Sequence, residues 1–557
     1  MVVDLLIASR AARSRTTLTM MVIAACGIVW FALLAFRPLY DPDEGRYAEI
    51  PREMLAGSGY LIPHLNGLVY LEKPPLQYWL SAAAMRLCGQ NEFAARLVTG
   101  LAGFACLIMV CGLAARLWGA RAGARAVLLL AGSLLFMLLS HQLTLDMLLT
   151  CWLTAALCCF ICAQTVRENR PANRRWMLGC WAAMAAAVLT KGLIGALIPA
   201  ASMVLYSLLQ RDFQIYHRLA LRWGLPLFVA LAAPWFVLAT RANAAFFEFF
   251  FVREHFGRYL TTVEHRVQPW WFFVPVLVVG VLPWIGPAVA ALTTDGRQRV
   301  PLGRFDAVRL LWVWCVFILV FFSLSESKLV AYILPAVPAL VLLCARYEPR
   351  ARPQMLAAGL ALTLLLALAL GVTLAVAARA DHPHGTLAVT AVFMRPLSLL
   401  ALGLAGGAVI ATWQARHGRH TPALAALCLG WCAGSGGLLV GSAPGDVLFS
   451  SRELAATLQR EAGPSTPVFS VGDYPQTLPF YLRRTVTLVA YRGELDLGLT
   501  QAPQLGIDTL DEFQRRWSQL PEGFAVMPPA TFAALSRAGL PMRLVAGSGN
   551  SLLVSRR

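Results

Sequence analysis

Charged side chains are scarce in this 557-residue sequence, at 14% of residues, whereas a soluble protein has about 25%. Acidic residues are the rarer sign, with 29 against 47 basic ones, so the formal net charge is +18. Hydrophobic residues make up 58% and the mean hydropathy is +0.63. This composition excludes an ordinary soluble protein and indicates a polytopic membrane protein.

The sequence also lacks several common signatures. Its 13 cysteines show no zinc-site spacing with histidine. They lie mostly in or beside apolar runs, which favours small core hydrophobes over a disulfide framework. Neither a repeat period nor a dense metal motif such as H-E-x-x-H is present.

The excess of basic residues has a membrane explanation. A soluble chain this basic would suit nucleic acid. Here the arginines fall mainly in short loops between apolar runs, as the positive-inside rule requires. We therefore expect no nucleic-acid partner.

Thirteen apolar runs approach the length of about 20 residues that a membrane-spanning helix needs. The first follows Arg10, Arg13 and Arg15, and we interpret it as a retained helix with the N-terminus inside. The predicted spans are 18–36, 96–117, 126–141, 147–165, 175–191, 193–209, 222–241, 270–291, 306–323, 329–345, 354–377, 396–413 and 420–442.

Two further helices are predicted to lie in the membrane interface. The run 76–88 is too short to span, and placing it in the interface puts all the arginine-rich loops inside. The run 44–56 is the other, with Ile50, Met54 and Leu55 able to face lipid. The first outer loop, 37–95, then shares the outer face with Asp146, Lys191, the loop 242–269, Ser325–Lys328 and the residues after Ser442.

The composition changes after Gly441. Residues 1–442 are predicted to form the transmembrane domain, and 443–557 a soluble outer α/β domain of about 110 residues, enough for an independent fold. The sequence pattern predicts strands and two helices in this second domain. The strands are Val468–Val471, Thr485–Ala490, Phe524–Met527 and Leu552–Val554, and the helices are 451–462 and 530–539.

The first outer loop carries the densest polar motifs. One runs from Tyr40 to Tyr47 and contains Asp43, Glu44 and Arg46; the other, Leu71 to Pro75, contains Glu72 and Lys73. Carboxylates at a helix N-terminus can simply cap it. On spacing alone, that explanation of Asp43 and Glu44 competes with a catalytic one.

Other polar residues lie at span ends on the same predicted face. Asp146 is a helix-end cap or a functional carboxylate, because charge near hydrocarbon is costly. Lys191 and Lys328 either extend toward the interface or contact a phosphate. Tyr332, one turn after Lys328, faces the same cavity or belongs to the interfacial aromatic belt.

The loop 242–269 contains two Glu-His pairs, Glu254-His255 and Glu264-His265, around Arg258. Histidine with nearby carboxylates can bind Zn²⁺, Mn²⁺ or Mg²⁺. The alternative is a loop with surface histidines.

Together these motifs resemble the polyprenyl-phosphate-dependent membrane glycosyltransferases of the GT-C class. The resemblance is closest to the bacterial transferases that attach 4-amino-4-deoxy-L-arabinose to lipid A. It rests on Asp-Glu-Gly-Arg-Tyr-Ala-Glu from Asp43, Glu-Lys-Pro-Pro-Leu-Gln-Tyr-Trp from Glu72, Leu145-Asp146, Thr190-Lys191-Gly192, Glu254 to Tyr259, His265 to Trp271, and Ser327-Lys328-Leu329 with Tyr332, Leu334 and Pro335.

The resemblance implies an inverting transfer from undecaprenyl phosphate to a lipid A phosphate, at the periplasmic face of the bacterial inner membrane, by a monomer. Such a reaction confers resistance to polymyxin and other cationic peptides. Asp43 and Asp146, with Glu44, would be catalytic, and Glu72 with His255 or His265 would hold a divalent metal. The donor phosphate and sugar would contact Arg46, Tyr47, Tyr70, Lys73, Lys191, Arg258, Lys328 and Tyr332.

The sequence leaves two alternative functions open. One is a related GT-C transferase with another polyprenyl-phosphate sugar and a protein or glycan acceptor. The other is a lipid or sugar-lipid transporter. Transporters usually place polar residues near the membrane midplane on interrupted helices with internal repeats, whereas the polar residues here gather at the outer boundary.

Overall fold

The computed structural model describes residues 26–166, 170–257, 268–294, 300–346, 386–442, 446–549 and 551–556, with short stretches between 361 and 376. Two of the predicted spans, 18–36 and 354–377, fall partly or largely outside the described residues.

A bundle of apolar helices forms most of the first 442 residues, and its largest core lies between α4, α5, α7, α8, α14 and α15. The helices are α1 over 26–32, α2 Asp43–Glu53, α3 Leu76–Cys88, α4 Glu92–Trp118, α5 Ala120–Ala131, α6 Leu134–Ser140, α7 Leu145–Thr165, α8 Arg170–Lys191, α9 Ile194–Gln210, α10 Gln214–His217, α11 Leu221–Ala242, α12 Phe273–Gly280, α13 Ile285–Thr294, α14 Ala307–Ser323, α15 Val337–Arg346, α16 Thr386–Arg416 and α17 His420–Gly441.

Several predicted spans are not single straight helices. Among the described residues, five helices are long and apolar enough to cross a membrane, or six if α5 and α6 form one span bent by 69°. The run 270–291 divides into α12 and α13, and 329–345 begins as a 3₁₀-helix, Val330–Ala336. Apolar composition therefore located the membrane segments of this multi-pass protein but did not reveal their breaks.

Helices α16 and α17 pack unusually closely. A Cβ on Gly403 would lie 2.5 Å from Cα of Gly434, and one on Gly430 would lie 2.4 Å from Cα of Gly407. These are distances that only glycine tolerates, because it has no side chain. The two helices therefore form a hairpin by backbone contact.

The first outer loop is compact and contains both predicted interfacial helices. Helix α2 continues into a π-helical turn, Met54–Ser58, and a short hairpin of β1 (His64–Leu65) and β2 (Leu68–Val69) leads to α3. Helix α3 begins directly after Pro74-Pro75 and ends at Gly89, whose φ of +83° suits glycine. The loop is thus folded around short, well-defined elements.

The expectation that α2 turns apolar residues toward lipid was wrong. Ile50 and Met54 are 0% and 2% exposed. They pack in a core shared with the C-terminal region, and Leu55 packs at its edge. The apolar face of this helix is covered by protein because a second domain docks on it.

That second domain is built on a six-stranded mixed sheet of order β5-β4-β3-β6-β8-β7. Strands β5, β4, β3 and β6 pair in parallel, whereas β8 pairs antiparallel with both β6 and β7. The strands are β3 Val468–Val471, β4 Thr487–Val489, β5 Gly506–Ile507, β6 Phe524–Met527, β7 Arg543–Ser548 and β8 Ser551–Ser555. The helices are α18 Asp446–Phe449, α19 Arg452–Glu461, α20 Thr477–Leu482, α21 Asp496–Gln501, α22 Leu510–Gln519 and α23 Pro529–Arg537.

Both faces of this sheet are buried, as is usual for parallel strands. Alternate residues such as Phe469 and Val471 face a core that includes Phe513 and Trp517 of α22. Their neighbours, including Val468, Leu488 and Val526, face a core completed by α2 and the β1–β2 hairpin. The four predicted strands and both predicted helices are present; β5 and β7 were not predicted.

Candidate active site

Glu44 anchors the first outer loop. Its carboxylate is 0% exposed and accepts two hydrogen bonds from Arg37 and two from Arg96, at 2.5–2.9 Å. The backbone N–H groups of Tyr40 and Leu143 complete the set at 3.1 and 2.9 Å. Six donors thus use the lone pairs of both oxygens.

The surroundings of Glu44 argue for a structural role instead of the predicted catalytic one. Burial by itself raises the pKa of Glu44, but the charges and hydrogen bonds of Arg37 and Arg96 outweigh burial and hold the pKa at about 2. The carboxylate therefore stays ionised and fully engaged. It ties the start of α2 to the loop before α7, which brings Asp43 toward Asp146.

Tyr47 marks the point where the two motifs of the first loop meet. Burial raises the pKa of its hydroxyl above the ordinary value, the carboxylates of Asp43, Glu72 and Asp146 add to the rise, and Arg46 opposes it. Charges from three separate parts of the sequence therefore act on one hydroxyl. Of these carboxylates, Asp43 is the most accessible, with 45% of its side chain exposed.

Two further tyrosines line the same region. The Tyr70 hydroxyl donates to Oε2 of Glu72 at 3.0 Å. The ring of Tyr78 stacks on that of Tyr47 with centroids 6.1 Å apart, and its buried hydroxyl has no hydrogen-bond partner among the described residues. Tyr78 was not among the predicted site residues, although it lies three residues after Pro75 in the same motif. A buried unpaired hydroxyl is costly, so it is a candidate for contact with a ligand.

Lys73 pairs with a residue far along the chain. Its ammonium donates to Glu254 Oε2 at 3.2 Å and to the backbone oxygen of Glu72 at 3.0 Å. Glu254 belongs to a π-helical segment, Glu248–Gly257, in the loop after α11. The pairing brings the two predicted outer loops together and orients the lysine.

A second ion pair joins Asp146 at the start of α7 to Lys191 at the end of α8. The Lys191 ammonium also lies 4.9 Å from the ring centroid of Tyr332, a cation–π contact. Three residues predicted to share one face are therefore in contact. Their roles toward a substrate stay predictions.

Lys328 is buried and donates to the backbone oxygen of Ser325. Within the described parts of the chain it forms no ion pair with a carboxylate. A buried ammonium without a counter-charge is compatible with the predicted contact to an anion.

The predicted metal site is described only in part. Arg258 and His265 lie outside the described residues, as does the side chain of His255. Glu72 is buried beside Tyr70. In the described portion no three His, Cys, Asp or Glu side chains form a cluster suited to a metal ion.

The C-terminal domain contacts the site loop through Asp41. The Asp41 oxygens accept from the backbone N–H of Thr477 at 2.7 Å and from its hydroxyl at 2.8 Å. An Asp-Pro pair such as Asp41-Pro42 commonly starts a turn, and the pair by itself does not reveal this contact. Burial raises the pKa of Asp41 to about 7, although the hydrogen bonds from Thr477 act in the opposite direction.

This raised pKa predicts pH-dependent docking of the C-terminal domain. Asp41 binds its proton more tightly in the docked state than in the free state, so docking weakens as pH rises from about 4 to about 7. Asp41→Asn preserves one acceptor and one donor for Thr477 and should flatten this dependence. The unfolding temperature followed by tryptophan fluorescence between pH 5 and 8 measures it, with the exposed Asp511→Asn as control. Equal slopes for wild type and Asp41→Asn would contradict the prediction.

Two sequence families match parts of the chain. Residues 454–556 match the family described as the aminoarabinose transferase C-terminal domain. Residues 72–237 match the family described as dolichyl-phosphate-mannose-protein mannosyltransferase. The second match begins at Glu72 and ends within α11.

Individual relatives carry one common description, undecaprenyl phosphate-alpha-4-amino-4-deoxy-L-arabinose arabinosyl transferase. The protein from Erwinia tasmaniensis is 34% identical over 319 residues, and the match spans only 56% of each chain. The protein from Enterobacter sp. (strain 638) is 30% identical over 492 residues, 85% of each chain. The chain thus spans just over half the length of the first relative and most of the second.

A solved structure resembles the whole molecule. The crystal structure of ArnT from Cupriavidus metallidurans bound to undecaprenyl phosphate superposes with a TM-score of 0.90 at 31% identity, covering 97% of this chain and 98% of that one. The helical bundle and the C-terminal sheet therefore form a GT-C fold with an α/β domain, which confirms the predicted fold class. The chain belongs to the family of undecaprenyl phosphate-aminoarabinose arabinosyl transferases.

Proposed function

We propose that this protein is an inverting glycosyltransferase that moves 4-amino-4-deoxy-L-arabinose from undecaprenyl phosphate to a phosphate of lipid A. It acts as a monomer at the periplasmic face of the bacterial inner membrane, and the modification confers resistance to polymyxin. The observation that carries the proposal is the full-length likeness to ArnT bound to undecaprenyl phosphate. The charges of Asp43, Arg46, Glu72 and Asp146, which all influence the pKa of the Tyr47 hydroxyl, support it.

In this reaction a lipid A phosphate oxygen attacks the anomeric carbon. The bond from that carbon to the donor phosphate breaks, and undecaprenyl phosphate leaves with the electron pair. An acceptor phosphate is already ionised near neutral pH, so it needs positioning more than a strong base. Negative charge grows on the leaving phosphate, which Arg46, Lys73 and Lys191 can stabilise.

The ion pairs fit this task. Glu254 and Asp146 orient the ammonium groups of Lys73 and Lys191 at the edge of the bundle before a substrate enters. Preorganised cations stabilise a transition state without first having to rearrange. Asp43, exposed and only 3.9 Å from Arg46, is free to contact the sugar amine or the acceptor.

A divalent metal on Glu72 with His255 or His265 also belongs to this proposal and rests on the family resemblance. Such an ion would neutralise phosphate charge when bound.

In vitro transfer with defined substrates tests the proposal. The protein in lipid vesicles, supplied with undecaprenyl phosphate-aminoarabinose and lipid A, should give lipid A carrying the amino sugar, detected by mass spectrometry. Lipid A stripped of its phosphates is the matched control and should remain unmodified. Modification of the stripped acceptor, or no product from the intact one, would contradict the proposal.

The same assay examines the alternative enzyme. The match of residues 72–237 to a protein mannosyltransferase family supports a protein acceptor as the alternative. Transfer only from another polyprenyl-phosphate sugar, or only to a protein or glycan, would replace lipid A modification with this function.

A further inference from the structure

The C-terminal domain holds a charged side chain of the site. Arg46 Nε donates to Gln476 Oε1 at 2.9 Å, and Arg46 Nη2 lies 3.4 Å from Glu494 Oε1. Gln476 in turn donates its Nε2 to Glu494. The Tyr491 hydroxyl donates to the other oxygen of Glu494 at 2.9 Å. Two of the three guanidinium nitrogens are therefore bound by a domain about 430 residues away along the chain.

Close backbone contact holds helix α2 against the C-terminal domain next to Arg46. A Cβ on Gly45 would lie 2.4 Å from the Thr477 nitrogen and 2.5 Å from the Gln476 carbonyl carbon. The residue before Arg46 therefore has to be glycine for the domain to approach this closely. Asp41 adds its two hydrogen bonds to Thr477 on the same side.

The third guanidinium nitrogen, Nη1, faces the site. Arg46 Nη1 lies 3.9 Å from Asp43 Oδ1, and the guanidinium carbon lies 5.8 Å from the ring centroid of Tyr47. Arginine presents its donors in a rigid planar group, so binding two of its nitrogens determines the direction of the third. That direction is toward the most exposed carboxylate of the site.

We propose that Gln476 and Glu494 are positioning residues of the active site. They aim Arg46 at the phosphate of the polyprenyl donor, and the C-terminal domain is thereby a working part of the catalytic centre. This inference rests on the proposed function. It assigns Gln476 and Glu494 no contact with substrate.

A double-mutant cycle separates this role from a merely structural one. If Gln476 acts through Arg46, removing Gln476 should matter only while Arg46 is present. A general loss of domain packing would instead weaken binding equally in both backgrounds. The readout is the dissociation constant for undecaprenyl phosphate, measured on the full-length protein in detergent micelles, together with KM for the donor.

Gln476→Ala and Glu494→Gln should each weaken binding about tenfold, the size expected for losing a hydrogen bond to a charged group. Gln476→Ala should have no further effect on Arg46→Ala, or on Arg46→Lys if the alanine variant does not fold. The matched control is Gln459→Ala, which removes an exposed hydrogen bond to the Tyr481 carbonyl in the same domain. It should bind like wild type.

Two results would overturn the inference, and they differ. If Arg46 variants weaken binding while Gln476→Ala and Glu494→Gln do not, or if the effects multiply in the cycle, positioning by the domain is wrong and the proposed function survives. If the Arg46 variants bind undecaprenyl phosphate like wild type, the phosphate site in the proposed function is wrong and the inference falls with it.

Discussion

Glu44→Ala is expected to lower the free energy of unfolding by about 3–5 kcal/mol, because it leaves buried arginines without their counter-charge. Arg96 is 0% exposed. It shares its donors between Glu44 and the backbone oxygens of Leu34, Arg37 and Pro38. Without the carboxylate, its charge stays buried beside that of Arg37.

Unfolding in SDS or urea, followed by tryptophan fluorescence, measures this loss. The control is Glu512→Ala, which breaks an exposed pair with Arg516 on α22 and should cost about 0.5 kcal/mol or less. The lowered pKa of Glu44 predicts the pH effect: its contribution is complete above about 4.5 and disappears as pH falls toward about 2. Similar losses for Glu44→Ala and Glu512→Ala would refute the structural role.

Asp43→Asn and Asp146→Asn, made separately, should each slow aminoarabinose transfer on the order of 10²-fold, about 3 kcal/mol of barrier. Asparagine keeps the size of the side chain and removes its charge. At Asp146 the change also releases Lys191 from its ion pair. At Asp43 it removes the exposed carboxylate beside Arg46.

The amount of modified lipid A, determined by mass spectrometry in cells with equal amounts of inserted protein, is the measurement. The control is Asp496→Asn, which breaks an exposed ion pair with Arg492 on the surface of the C-terminal domain and should leave the rate unchanged. If both site variants work at the wild-type rate, neither aspartate is catalytic.

Much of the site was predictable from sequence because membrane topology restricts where a residue can lie. The charge bias of the loops predicted one face for Asp43, Asp146, Lys191 and Tyr332. In the structure Lys191 contacts both Asp146 and Tyr332. The carboxylates of Asp43 and Asp146 both raise the pKa of the Tyr47 hydroxyl. Contact between Lys73 and Glu254 was not predicted, since a motif does not identify its partner in another loop.

The roles of Glu44 and Arg46 required the tertiary structure. From sequence, Glu44 looks like its neighbour Asp43: two adjacent acids at a helix start. Its contacts with Arg37, Tyr40, Arg96 and Leu143 distinguish it. The sequence does show Arg96 as a cation at the first position of the predicted span 96–117. The lipid-facing prediction for Ile50 failed for a related reason, since periodicity shows an apolar face without showing what covers it.

The sequence by itself determined the membrane class and four of the six strands of the C-terminal domain, because apolar length and alternation are local properties. The side of each loop, inferred from arginine bias, stays a prediction. The bends in the spans, the neutralisation of each buried charge and the docking of residues 476–494 beside Arg46 were decided only by the tertiary structure. These features depend on pairs of groups hundreds of residues apart, and a hydrogen bond or ion pair exists only once both groups have been brought within about 3 Å.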